Sequence, residues 1–217
     1  MDAVLFDMDG VIIDSEDYWP EYEAGHILPA AVEGEAPPVS EVKGINVSEM
    51  YDMLAETYEM AVDKAEFLGM YDDAAAEIYR EKAGMMDGFA DLVAYIRERG
   101  VKVGIVTSSP RQWIDIAREE FDFPEVDVFL SAGDIDGPGK PEPDLYEAAA
   151  DRIGADIERC TAVEDSPNGA ASAAAAGAFV IGFNASDDLD AADIMVRGPD
   201  ELQEELAARI AQGDDDR

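Results

Sequence analysis

Positive charge is what this sequence is short of. Its 217 residues carry 15 Lys and Arg against 51 Asp and Glu, a formal net charge of −36. A chain so anionic is repelled by a nucleic-acid backbone and by an anionic membrane surface, which excludes both as partners. It also repels itself, and self-repulsion of this size destabilises a compact state. At roughly 1 M salt the screening length shrinks to about 3 Å and the repulsion fades. The composition therefore reads as an adaptation to molar salt, as in a halophile, and the acidic surface favours a monomer. Cysteine is nearly absent: Cys160 stands alone, so no intramolecular disulfide can form, and its short apolar segment marks it as a small core residue. The single histidine, His26, is read as packed or at the surface rather than catalytic. No apolar run approaches the 18 or so residues of a membrane span. Asp2 and Asp7 interrupt the first apolar run, which removes any signal-peptide pattern. These absences lead to the expectation of a soluble, cytoplasmic protein.

Hydrophobic residues nevertheless make up 47% of the chain, enough for a real core. Short runs rich in Val, Ile or Phe, bounded by Gly, Ser, Asp or Pro, predict buried strands at 3–6, 101–106, 126–130, 161–163 and 179–181. Between them lie helical patterns at 88–99, 110–121, 143–153 and 167–176. The first has Phe89, Leu92, Val93 and Ile96 on one face and Gly100 as its stop. Strands alternating with helices from residue 88 onward imply a parallel sheet covered on both faces. The stretch from 15 to 87 is different: it has helical patterns at 47–60 and 65–83, a loop at 33–38, and little strand signal. The expected architecture is a discontinuous Rossmann-like α/β core, 1–14 and 88–217, with an all-helical insert at 15–87. The acidic tail at 213–217 is expected to fray.

Chemistry concentrates at the ends of the predicted strands. Asp7-Met8-Asp9-Gly10-Val11 follows the first one. Carboxylates at i and i+2 of an extended segment share a side, and at a strand's carboxyl end that side faces the ligand crevice of an open α/β sheet. Asp7 is placed to attack phosphorus, and Asp9 to protonate a leaving group and then activate water. Two adjacent carboxylates repel, so a cation is expected in the site. A second strand ends in Thr107-Ser108-Ser109, where hydroxyls and free N–H groups can hold phosphoryl oxygens. Lys140, in Gly-Lys-Pro-Glu-Pro before a helix, can supply positive charge. Glu164 and Asp165, opening Glu-Asp-Ser-Pro-Asn-Gly, can complete an oxygen site for Mg²⁺.

Taken in order, these four segments resemble the four motifs of the haloacid dehalogenase-like phosphatases. Asp-Met-Asp-Gly-Val-Ile-Ile-Asp-Ser-Glu at 7–16 is similar to the first motif of the β-phosphoglucomutase and phosphoglycolate phosphatase branch. The resemblance implies an aspartyl-phosphate on Asp7, Asp9 as general acid/base, and Thr107 with the Ser108 N–H on the transferring phosphoryl group, Ser109 beside them. It implies Lys140 bridging phosphate and Asp7, and Mg²⁺ held by the Asp7 carboxylate, the Asp9 carbonyl, Asp165 and, directly or through water, Glu164. The insert lies where this branch carries a small helical cap that closes over the site and reads the leaving group. Candidate specificity residues there are Trp19, Tyr22, His26, Lys43 and Asn46. Lys43 is favoured as a substrate-binding residue because Lys43-Gly44 resembles a cap loop that dips toward the site. Asp9 argues against a true dehalogenase or a phosphonoacetaldehyde hydrolase, both of which lack that second acid. The expected function is a Mg²⁺-dependent phosphatase of a small phosphorylated metabolite, of the phosphoglycolate or sugar-phosphate kind. A sugar phosphomutase resembling β-phosphoglucomutase is one alternative; a catalytically silent phosphate-ligand binding protein is another.

Overall fold

The computed structural model describes residues 1–42, 45–185 and 189–215, the side chains of 213–215 excepted. Its centre is a six-stranded sheet in the order β3-β2-β1-β4-β5-β6, formed by β1 (Ala3–Phe6), β2 (Lys102–Thr107), β3 (Val128–Ser131), β4 (Cys160–Glu164), β5 (Phe179–Phe183) and β6 (Ile194–Val196). Every neighbouring pair is parallel. Strand β1 sits between β2 and β4, so the strand order reverses on either side of it. That reversal opens a crevice at the carboxyl ends, the usual ligand position in such sheets.

Alternation along β1 assigns its side chains to two cores. Val4 and Phe6 face one cluster and Ala3 and Leu5 the other, all at 0% exposure. The Val4 face is covered by helices α5 (Phe89–Glu98), α6 (Arg111–Glu120) and α9 (Pro199–Asp215). Phe89 meets Phe6 edge to face, ring centroids 5.4 Å apart. The Leu5 face is covered by α7 (Asp144–Ile153) and α8 (Pro167–Ala176). Alanine dominates α8 because small side chains let a helix lie close on the sheet; Gly177 in the left-handed region ends it.

Between β1 and α5 the chain is mainly helical, and this stretch is an insert between the first two strands. A helical run from Trp19 to Ala31 contains α1 (Trp19–Tyr22), a π turn (Glu23–Ile27) and α2 (Leu28–Ala31). Then come α3 (Val47–Thr57) and α4 (Lys64–Glu77), the latter started by an Asp63–Glu66 capping box and continued by a π stretch at Ile78–Lys82. Two straps join the insert to the sheet. The Met86 N–H donates to the Ile12 carbonyl, the Asp14 N–H to Gly84, and the Gly84 N–H to Asp14 Oδ1. Trp19 stacks on Trp113 of α6 (5.0 Å) and on Tyr71 of α4 (5.7 Å). Trp113 Nε1 donates to Asp72 at 2.7 Å, so the insert also rests on α6.

The predicted strands and core helices are present, with three differences. The expected strand at 126–130 begins at Val128. The strand β6 and the helix α9 were not expected; α9 runs through Asp215, and the last two residues of the tail expected to fray at 213–217 lie outside the described residues. Leu202, Leu206 and Ile210 recur every four residues along it and are buried, which is what holds this acidic helix to the core. Among the described residues no helix is long and apolar enough to cross a membrane.

Candidate active site

Three strand ends meet at the reversal. Asp7 directly follows β1, and its N–H still donates to the Val163 carbonyl at 3.0 Å, so the ladder holds it in line. Thr107 is the last residue of β2 and Glu164 the last of β4. All three are buried. Gly10 turns the chain away at φ +80°, and a Cβ there would stand 2.0 Å from Asp165 Oδ2. Glycine at this position therefore satisfies both the turn and the close approach of the acid.

Lys140 reaches in from the loop before α7. Its Nζ lies 2.6 Å from Asp7 Oδ1, 2.6 Å from Glu164 Oε1 and 3.1 Å from the Val106 carbonyl. Burial works against its charge, but the Asp7 and Glu164 carboxylates overcome that and hold the ammonium above its ordinary range. On the acid side the balance reverses. Burial pushes Asp7 well up; Lys140 opposes this while Glu164 and Asp165 add to it. Burial, then the Glu164 carboxylate, pushes Asp165 up to about 7. Carboxylate oxygens of Asp7, Glu164 and Asp165 lie within 4.8 Å of one another. One ammonium thus faces three carboxylates. An all-oxygen donor set with this excess of negative charge suits a hard divalent cation such as Mg²⁺.

Asp9 has a different setting, although it is only two residues on. Its Oδ1 accepts hydrogen bonds from Ser15 (2.6 Å) and Tyr79 (2.7 Å), and its Oδ2 accepts one from Ser109 (2.6 Å). Ser15 directly follows the first strap, Tyr79 comes from the π stretch after α4, and Ser109 from the loop after β2. Burial and the Asp9 carboxylate keep the Tyr79 phenol well above its ordinary pKa, so it serves as a donor.

The structure brings together Asp7, Lys140, Glu164 and Asp165, with Asp9 and Thr107 beside them. Thr107 Oγ1 accepts from the Ser109 N–H at 3.0 Å, and Ser108 is exposed. Ser109, expected on the substrate, spends its hydroxyl on Asp9 in this arrangement. The candidates in the insert fare differently. Trp19 and Tyr22 are buried in the packing, His26 is exposed, and Asn46 caps α3 by accepting from the Ser48 N–H. Lys43 lies outside the described residues. Sequence reasoning passed over Ser15, Tyr79 and Tyr146. The hydroxyl of Tyr146 donates to Glu164 Oε1 from beneath the site.

Parallel strands with an acid-lined reversal and helical segments between β1 and β2 define a Rossmann-like α/β fold. Residues 1–177 match the family model described as haloacid dehalogenase-like hydrolase, and the chain belongs to that family. Hexitol phosphatase A of Escherichia coli is 30% identical over 85% of this chain and 83% of its own length. β-Phosphoglucomutase of Bacillus subtilis is 26% identical over 95% and 93%. The crystal structure of β-phosphoglucomutase from Clostridium difficile shares the fold with TM-score 0.74 at 20% identity, covering 98% of each chain. The chain falls in the β-phosphoglucomutase-like branch of the family.

Proposed function

We propose that the protein is a Mg²⁺-dependent phosphatase that hydrolyses a small phosphomonoester through an aspartyl-phosphate on Asp7. The observation that carries this reading is the Lys140 bridge to Asp7 at the sheet reversal, with a second acid, Asp9, two residues on. An Asp7 oxygen attacks phosphorus in line. The bond to the leaving alcohol breaks, and the alcohol takes its proton from Asp9. Asp9 then takes a proton from water, which attacks the acyl-phosphate and releases phosphate and Asp7. Lys140 keeps the nucleophile placed and offers its ammonium to the phosphoryl oxygens. The Thr107 hydroxyl, at the end of β2, supplies a further contact to the same group. Asp7, Glu164 and Asp165, with the Asp9 carbonyl, would hold Mg²⁺, which supplies charge against the phosphoryl oxygens and the surplus carboxylates. The helical insert acts as the cap that closes over the site and selects the leaving group.

The −36 charge supports a setting at molar salt. Phosphate release should rise with KCl toward molar concentrations; a flat or falling profile would count against salt adaptation. The primary test is phosphate release from p-nitrophenyl phosphate and a panel of small phosphomonoesters in Mg²⁺ and molar KCl. Wild type should release phosphate, and chelation should stop it. The 26% identity to β-phosphoglucomutase over 95% of the chain favours a second reading, a sugar phosphomutase. In that case hexose phosphates would isomerise with little free phosphate.

A further inference from the structure

We propose that Tyr146 is a positioning residue that fixes the Glu164 carboxylate for the divalent cation and so sets the affinity of the site for metal. This rests on the phosphatase reading above. Tyr146 is fully buried on α7, on the Leu5 face of the sheet. Its hydroxyl donates to Glu164 Oε1, and Lys140 Nζ lies 2.6 Å from the same oxygen. The Tyr146 ring also lies under the ammonium, whose Nζ is 5.4 Å from its centroid. Oε1 is therefore held by two donors.

The other side of the carboxylate is shaped by an absence. A Cβ at Gly169, in the first turn of α8, would stand 1.9 Å from Glu164 Oε2 and 2.3 Å from Oε1. The carboxylate occupies the volume that any side chain at 169 would fill. Ser166 Oγ, at 3.5 Å, adds a long contact to Oε2. With Oε1 held and Gly169 leaving room, Glu164 has one orientation. That orientation keeps it grouped with Asp7 and Asp165.

The chemistry of the two donors differs. Lys140 bonds Asp7 as well, and an arriving phosphoryl group competes for its charge. Tyr146 is neutral and has no such competitor. It can hold Oε1 without cancelling the negative charge that a cation requires. Partners of this kind typically change metal affinity about 10- to 100-fold when removed.

The test is calorimetric titration of the full-length protein with Mg²⁺, and Mn²⁺ titration followed by electron paramagnetic resonance. Wild type is compared with Tyr146→Phe, which keeps the ring and its packing, and with Gly169→Ala. Tyr146→Phe should raise the metal Kd about 10-fold, and phosphate release should require correspondingly more Mg²⁺. Gly169→Ala should weaken metal binding at least as much. A purely structural tyrosine would lower the melting temperature and leave the metal Kd in place; with wild-type turnover intact, that result overturns the assignment. A shifted Kd without turnover in wild type supports the assignment and overturns the phosphatase reading instead. If Tyr146→Phe does not fold, an unshifted Kd in Gly169→Ala overturns it.

Discussion

At the carboxyl edge of the sheet, Asp7, Glu164 and Asp165 crowd around the single ammonium of Lys140. In the insert, the buried acid Glu23 meets the Tyr71 hydroxyl at 3.1 Å within an otherwise apolar packing. Both regions bury carboxylates, but they resolve the cost differently. A lone buried acid can shift toward its neutral form. Three acids and one lysine cannot all be satisfied that way without neutralising Asp7. Like charges kept together against their repulsion mark a site retained for chemistry, whereas the single acid is compatible with packing alone.

Substitutions can break or sharpen this contrast. The largest effect is expected from Asp7→Asn, which removes the proposed nucleophile: phosphate release should fall by at least on the order of 10³-fold with the fold intact by circular dichroism. Lys140→Met should come next. It leaves the acids of the site without their buried counter-charge, and a loss of about 3–5 kcal/mol is expected in urea unfolding without metal. Mg²⁺ should restore part of that loss; no restoration would argue against the cation site. Tyr79→Phe removes one of the hydroxyls on Asp9, and kcat should drop by about 10- to 100-fold, the scale of one hydrogen bond to a charged acceptor. Glu23→Gln should give the smallest change. Burial raises Glu23 above its ordinary 4.5, with the Tyr71 hydrogen bond opposing. An acid held up in this way binds its proton more tightly when folded. Its contribution to stability is therefore full below pH 4.5 and is lost as pH rises through the folded pKa. Glu23→Gln should flatten that decline and gain under about 1 kcal/mol at pH 7. A loss of activity in this variant would move the insert's acid into the chemistry and erase the contrast.

The same two regions differ in how far they could be read from residues. Asp7, Thr107, Lys140, Glu164 and Asp165 announce themselves locally, because each follows a short apolar run or precedes a helix with a breaker beside it. Tyr79 and Tyr146 carry no such signal. Tyr79 lies 70 residues from Asp9 in sequence, and only the return of the chain through the second strap brings them together. Within a helical pattern, either tyrosine reads as core. Ser15 was within reach, six residues after Asp9, but a serine before acidic residues reads first as a turn or cap. Strand β6 was missed because three residues flanked by Asp and Arg give too little alternation to read. Helix α9 was missed because acids hide an apolar stripe confined to Leu202, Leu206 and Ile210. In the insert, Trp19 and Asn46 have polar or aromatic side chains that look available for a ligand; folding assigns them to stacking and to capping.

The straps at 12–14 and 84–86 have an evolutionary corollary. The chain leaves β1 and returns to α5 through adjacent, hydrogen-bonded backbone, so the some seventy intervening residues share one covalent exit and entry, while Ser15, Tyr79 and Trp19 add side-chain ties to Asp9 and to α6. A different helical segment could be spliced between Asp14 and Gly84 with little change to the register of β1. Most of the excursion can thus be exchanged independently of the sheet edge, provided that the hydroxyls which Ser15 and Tyr79 bring to Asp9 are kept or replaced.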